Sequence, residues 1–398
     1  MAYNKNSVVS VAKCFDPHNF ETVKTCVRKS IESIGGLESL VMQGDTVMLK
    51  PNVVMNANYM TGTTTNPYVT FAAADLCHEA GAKKVIIAEG SGIGSSTTQC
   101  YKSLGYIELA QKHNCELVDL LKDEFEYVLN PIAKTMKRLR LPRTFLESDM
   151  IINIPVMKTH DCLNVTLGLK NLKGLLHYDD KKRFHKWGLV QAILDLCTLA
   201  MPELTIADGT VGMEGLGPCN GTPVNLGLIL ASKDTCALDR VCLDIMGFSL
   251  SEVEYIEMAG KMGLGEIDLS YINITGEKLE DVRRPFVRAG SIENKKAEKY
   301  NISLLPCDAC SGCQTVASTF LLHLDNKGLL PKLKDHVIVY GQTPKVPQNE
   351  NRKIFLFGTC TKKMNNDMTN KDCFYVPGCP PHLDHIYEAF DRIEIEEE

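Results

Sequence analysis

Short runs that carry too little polarity for a solvent-facing side alternate with longer amphipathic segments over the first two thirds of the chain. Residues 8–11, 46–49, 85–88, 150–154, 204–207 and 226–230 are runs of this kind. Such strands need cover on both faces, and a parallel sheet with crossover helices supplies it. The helical segments fall between them, at 20–34, 67–80, 187–199 and 236–246. Asn66 before Pro67 reads as an N-cap with proline at the first helical position, and Gly81 as the stop. The pattern predicts an α/β fold, with a mostly parallel sheet covered by helices on both faces.

The chain has 398 residues, more than one core usually carries. Its composition turns charged between 279 and 300, where Arg283, Arg284, Lys295, Lys296 and Lys299 cluster. This divides the chain into an α/β domain (1–285), a linker (286–300) and a smaller α/β domain (301–398). The smaller part has apolar runs at 337–340 and 354–357 and a closing helix near 383–390.

Sixteen cysteines are many for a chain that shows no apolar leader at its start, so a secreted disulfide framework is not expected. Ten of them, among them Cys77, Cys197 and Cys242, are scattered before residue 250 among apolar neighbours and read as small core residues. The other six lie between Cys307 and Cys379. Cys310 and Cys313 form a C-x-x-C, whose turn brings both sulfurs to one side. Gly358 lies two residues before Cys360, Gly378 directly precedes Cys379, and Pro380 follows it, as in the Cys-Pro end of ferredoxin-type motifs. Cys310, Cys313, Cys360 and Cys379 therefore read as ligands of a [4Fe-4S] cluster. Cys307 and Cys373 are possible further ligands, and four thiolates suit zinc as well.

In open α/β sheets, ligands collect beyond the carboxyl ends of the strands. Those ends carry Lys50 and Asn52, Glu89, Lys158 and His160, and Asp208, while Lys170, Asn171 and Lys173 lie in a following segment. Lys50, Asn52, Lys170, Asn171, Lys173 and Glu214 are candidates for binding a small anionic substrate. Lys158, His160, Glu89 and Asp208 are candidates for catalysis, as groups able to move protons. A glycine-rich loop follows Asp208, and its amides suit an anion. The basic run 181–186 reads as an exposed loop, or as a cover for the substrate. Residues 90–94 match neither a Walker-A nor a dinucleotide fingerprint.

Two resemblances sit on these residues. Cys310-Ser311-Gly312-Cys313, Gly358-Thr359-Cys360 and Pro377-Gly378-Cys379-Pro380-Pro381-His382 resemble the proximal-cluster motif of the small subunit of nickel–iron hydrogenases. The corresponding subunit of respiratory complex I carries a variant of that motif. The resemblance implies a flavodoxin-like domain with four cysteines on a [4Fe-4S] cluster. Separately, Lys50-Pro51-Asn52, Lys158-Thr159-His160, Lys170-Asn171-Leu172-Lys173-Gly174, and Asp208-Gly209 with Glu214-Gly215 resemble the family called domain of unknown function 362. That likeness covers about residues 8–265, and members are often joined to ferredoxin-type modules. Here Ala317 stands where the ferredoxin pattern requires a cysteine, so the remaining ligands must come from farther along the chain.

A net charge of −6 argues against general nucleic-acid affinity, and no apolar run approaches the ~20 residues that span a bilayer. The expectation is a cytoplasmic protein, with a thiol-rich composition that would suit an anaerobe. Its expected role is an iron–sulfur oxidoreductase acting on a small anion, with a redox partner such as ferredoxin. Two other roles fit the same residues, an electron-transfer or accessory subunit serving a partner protein, and a zinc-stabilised ligand-binding protein. Paired cysteines for a nickel–iron centre are lacking, so hydrogenase activity itself is not expected.

Overall fold

A computed structural model describes residues 7–289, 291–345, 352–367 and 373–395. The chain divides into two compact units, Met1–Val287 and Arg288–Glu398. The large unit contains β1 (Ser7–Lys13), β2 (Thr46–Pro51), β3 (Lys84–Glu89), β4 (Glu116–Asp119), β5 (Phe125–Leu129), β6 (Arg138–Pro142), β7 (Met150–Ile154), β8 (Val156–His160), β9 (Asn164–Thr166), β10 (Leu204–Glu214), β11 (Thr222–Val224), β12 (Leu228–Ser232) and β13 (Ile272–Gly276). Its main sheet runs β13-β1-β12-β10-β7-β2-β3-β4. The run from β10 to β4 is parallel, and β12 is antiparallel to both of its neighbours.

The period of two in a strand sends alternate residues to opposite faces. Val47 and Leu49, Val85 and Ile87, and Ile152 and Ile154 join one core with the helices Phe20–Glu32 and Pro67–Glu79. Met48, Ile86, Ala88 and Ile151 join the other, under the helices Leu189–Ala200, Thr235–Ile245 and Glu254–Lys261. Both faces are thereby covered, and the strand ends are the sites left for polar groups. Asn66 caps the helix Pro67–Glu79 by accepting from the Tyr68 amide.

β10 is unusually long and turns the sheet end into a second small layer. Its first residues pair with β7, and after an irregularity its later ones pair with β8 and β11. Only Pro155 separates β7 from β8, and β8 returns through β9 as a hairpin. Lys158 and His160 are carried on this layer, beyond the parallel sheet.

The small unit has β14 (Ser303–Pro306), β15 (His336–Tyr340), β16 (Lys353–Phe357) and β17 (Cys373–Val376), all parallel and paired in sequence order. It has the α/β architecture expected, but no reversal of strand order among the described residues, as a flavodoxin sheet would show. Phe320, Phe355, Phe357 and Phe390 fill the core between the sheet and the helices Ser311–Asn326 and Leu383–Ile395. Much of the stretch expected as a linker is the helix Ser291–Lys299, and its Ala297 is buried in that core with Ile302.

Asp239, fully buried on the helix Thr235–Ile245, accepts from the Gly168 (2.7 Å) and Leu169 (3.0 Å) amides and so anchors the turn that leads into Lys170 and Asn171. Asp239→Ala leaves two buried amides without an acceptor, at about 1–3 kcal/mol each. Urea denaturation should show a lower midpoint with an unchanged m-value. A shift worth less than about 0.5 kcal/mol would show that this anchor is dispensable.

Candidate functional site

Lys50, at the end of β2, is 0 % exposed, and its Nζ lies 3.1 and 3.0 Å from the two carboxylate oxygens of Glu89 at the end of β3. Glu89 also accepts from the amides of Val53 (3.2 Å) and Gly90 (2.8 Å), so it satisfies backbone as well as charge. A Cβ at Gly174 would lie 2.0 Å from Glu89 Oε1 and 2.5 Å from Lys50 Nζ, so only glycine lets this backbone pass over the pair.

A chain of amides continues from there. Asn52 Nδ2 donates to Asn171 Oδ1 (2.8 Å), and Asn171 Nδ2 donates to Asn153 Oδ1 (2.8 Å). Asn153 Nδ2 in turn donates to the Gly168 carbonyl (2.9 Å). Lys158, 1 % exposed, donates to Asn52 Oδ1 (2.9 Å) and the Thr63 carbonyl (2.5 Å). β2, β7, β8 and the turn 168–175 are locked together by this network. Of the expected anion-binding residues, it holds Lys50, Asn52 and Asn171, with Lys158 and Glu89 beside them.

Two further lysines lie within electrostatic reach. Burial holds Lys158 down at about 7 and Lys170 at about 8, and Lys173 well below the usual lysine range. For Lys158 and Lys173 the charge of Lys170 adds to the shift. Lys50 is also lowered by burial, partly offset by Glu89. A fifth lysine was expected in an exposed loop. Residues 178–187 instead form the helix Tyr178–Trp187, and Lys181 and Phe184, three apart on one face, are both buried. Lys181 donates to the Gly90 (2.6 Å) and Ser91 (3.1 Å) carbonyls, and burial holds it at about 8. The phenylalanine three residues on was the signal that this face turns inward.

Two candidate acids have other duties. Asp208 accepts from the Asn66 amide (2.7 Å), the Thr210 amide (2.9 Å) and the Thr210 hydroxyl (2.7 Å), which ties β10 to the start of the helix Pro67–Glu79. Burial raises its carboxyl to about 6. Glu214 is bound bidentately by Arg284 and accepts from the Val287 amide (2.9 Å). Both carboxylates, expected in catalytic and binding roles, are occupied by protein donors that fix β10 in place.

His160 ends β8 and is 7 % exposed. Its Nδ1 lies 2.9 Å from Asp161 Oδ1, and the Cys162 amide lies 2.8 Å from that oxygen and 3.0 Å from Nδ1. The Cys162 amide donates to both atoms, so a ring proton on Nδ1 would serve the Asp161 contact only by giving up that amide bond. Burial and Lys170 hold the imidazole at about 4, so it is neutral at pH 7. One ligand atom from each of His160, Asp161 and Cys162 falls within 4.8 Å of the others.

In the small unit, Cys310, Cys360 and Cys379 follow the carboxyl ends of β14, β16 and β17, and Cys313 lies in the first turn of the helix Ser311–Asn326. Cys313 feels the charges of Cys310, Cys360 and Cys379, so the four thiols form one electrostatic group. Cys310 is the acidic member, lowered to about 5 by a hydrogen bond with Cys313 and by the amides of Cys313 and Gly312. Gly358 has φ +93°, and a Cβ there would meet Cys313 Sγ at 3.2 Å. The four sulfurs and converging amides fit a cluster whose sulfurs accept backbone hydrogen bonds. Cys307 Sγ instead packs against the Lys345 backbone, 3.6 Å from its carbonyl. Cys373 begins β17, opposite Ile354 and at the other end of the strand from Cys379.

The family described as domain of unknown function (DUF362) matches residues 47–244, the segment holding every large-unit site residue named above except Arg284 and Val287. A thylakoid-associated protein of Synechocystis sp. (strain ATCC 27184 / PCC 6803 / Kazusa) is 29% identical over 246 residues, which covers 60% of this chain and 74% of that protein. The lactate racemase apoprotein of Thermoanaerobacterium thermosaccharolyticum shares 12% identity at a TM-score of 0.40, over 97% of this chain and 90% of that one. No helix among the described residues is long and apolar enough to cross a membrane.

Removing one partner of a buried ion pair strands the other, at about 3–5 kcal/mol. Lys50→Met should destabilise the large unit by that amount in urea titrations, and Lys50→Met with Glu89→Gln should recover much of it. Additive losses in the double variant would show that the two groups do not stabilise each other.

Proposed function

We propose that the chain is an iron–sulfur oxidoreductase. In this reading its large unit binds a small anion, a carboxylate or phosphate ester, and its small unit holds a [4Fe-4S] cluster on Cys310, Cys313, Cys360 and Cys379. The observation that carries the anion is the charge balance. Lys50, Lys158, Lys170, Lys173 and Lys181, five lysines, lie within electrostatic reach of three carboxylates, Glu89, Asp119 and Asp161. Lys50, Lys158 and Lys181 are buried and Lys170 and Lys173 half-buried; each ammonium loses hydration, which depresses its pKa, and a bound anion would offset that loss.

The residues divide the work. Lys50 and Glu89 neutralise one another and hold the ends of β2 and β3 in register. Asn52 and Asn171 orient Lys158, whose value near 7 lets it hold or release a proton at Nζ around neutral pH. Lys170 and Lys173 supply charge to the anion. His160, neutral and beside Asp161, presents its imidazole ring to the site. A cluster on the four cysteines would supply one-electron transfer, and the reading implies an external donor such as a ferredoxin.

Two measurements test this. Anaerobically purified protein should be brown, with about four iron and four sulfide per chain, and Cys310→Ser and Cys379→Ser should each lower both counts. Colourless protein with stoichiometric zinc at those cysteines would overturn the redox reading. Inorganic phosphate or a small carboxylate should bind calorimetrically at pH 6 and weaken as pH rises through 7 to 8, because Lys158, Lys170 and Lys181 lose the protons that attract it. Lys158→Ala should weaken binding by about tenfold or more, the worth of one charged hydrogen bond. Binding that is flat between pH 6 and 9 would remove the lysines from the site.

A further inference from the structure

The end of the β8–β9 hairpin brings together three side chains of metal-ligating type. His160 pairs with Asn164 across the hairpin, so His160, Asp161 and Cys162 lie on one tight turn. Both ends of that turn are anchored. The Asp161 amide donates to the Gly217 carbonyl (2.9 Å), and Asn164 Nδ2 donates to the Glu252 carbonyl (2.6 Å). Three consecutive side chains thereby converge, with one nitrogen, one oxygen and one sulfur within 4.8 Å of one another.

We propose that His160, Asp161 and Cys162 bind a divalent transition metal of borderline softness, zinc or ferrous iron, and leave one coordination position open. Metal–ligand bonds of about 2.0–2.3 Å at tetrahedral angles separate donors by about 3.3–3.8 Å, so donors within 4.8 Å of one another need to shift by no more than about 1.5 Å. Three protein ligands with an open fourth position is the pattern of a catalytic metal, whereas a structural zinc is closed by four. A thiolate beside an imidazole and a carboxylate selects zinc or iron over magnesium and calcium.

The neighbouring charges allow it. Lys170 and Lys173 reach both Asp161 and Cys162 and favour their ionised forms, the forms a metal requires. One carboxylate and one thiolate cancel a dication, so those lysines would face a neutral centre. They are placed to hold an anion that takes the open position. The identity of that occupant rests on the anion reading above; the metal does not.

The test uses the full-length protein with its iron in place, loaded anaerobically with zinc, desalted and analysed for zinc, iron and sulfide. About one zinc per chain should remain beyond the iron content, with one Zn–S distance near 2.3 Å and lighter donors near 2.0 Å in zinc-edge absorption. Cys162→Ser should abolish that Zn–S distance, and it and His160→Gln should each weaken zinc binding more than tenfold, with iron and sulfide unchanged. Full zinc retention in both variants would overturn the proposal, as would zinc bound by four sulfurs at the expense of iron. Lys158→Ala separates the two readings: it should keep the zinc while losing phosphate. Zinc without phosphate binding in the unaltered protein would defeat the anion reading alone.

Discussion

The large unit is organised by the need to bury positive charge. Lys50 is wholly enclosed, and an isolated ammonium in that position would cost several kcal/mol in lost hydration. Glu89 meets it from the next strand and also accepts two backbone amides, so one carboxylate settles three demands at once. Gly174 must pass directly over the pair, and the turn it belongs to carries Lys170, Asn171 and Lys173. The position of those side chains follows from the ion pair.

The long β10 gives the site its second wall. Its first half completes the parallel sheet, and its second half holds β8 above the strand ends. Asp208 and Glu214 sit on that strand and spend their oxygens on Asn66, Thr210, Arg284 and Val287. Their work is to fix the wall on which Lys158 and His160 stand. Carboxylates saturated by protein donors have little capacity left for a ligand.

The small unit solves a different problem with parallel strands alone. Cysteines separated by up to 69 residues, Cys310 to Cys379, reach one place because parallel strands all end on the same edge of a sheet. Cys373 illustrates the rule from the other side. It is only six residues from Cys379, yet it begins the strand that Cys379 follows, and a four-residue strand is enough to separate them.

Much of this was legible in the residues themselves. Apolar runs alternating with helical segments point to a mostly parallel sheet covered on both faces, because crossover helices bury both sides of such strands. The lysines and amides at strand ends are likewise readable, since that is where such a sheet places its polar residues. Asn153 and Asp239 gave no local sign of their roles, because their hydrogen-bond partners lie 15 to 71 residues away. Lys181 had the local look of a solvated loop, and only packing of the helix Tyr178–Trp187 turned it inward. Sequence alone determines which residues can be strands, helices and ligands, because periodicity and side-chain chemistry are local. Which charges face one another was decided by the tertiary structure, because the partners of a buried ion are chosen by distance in space.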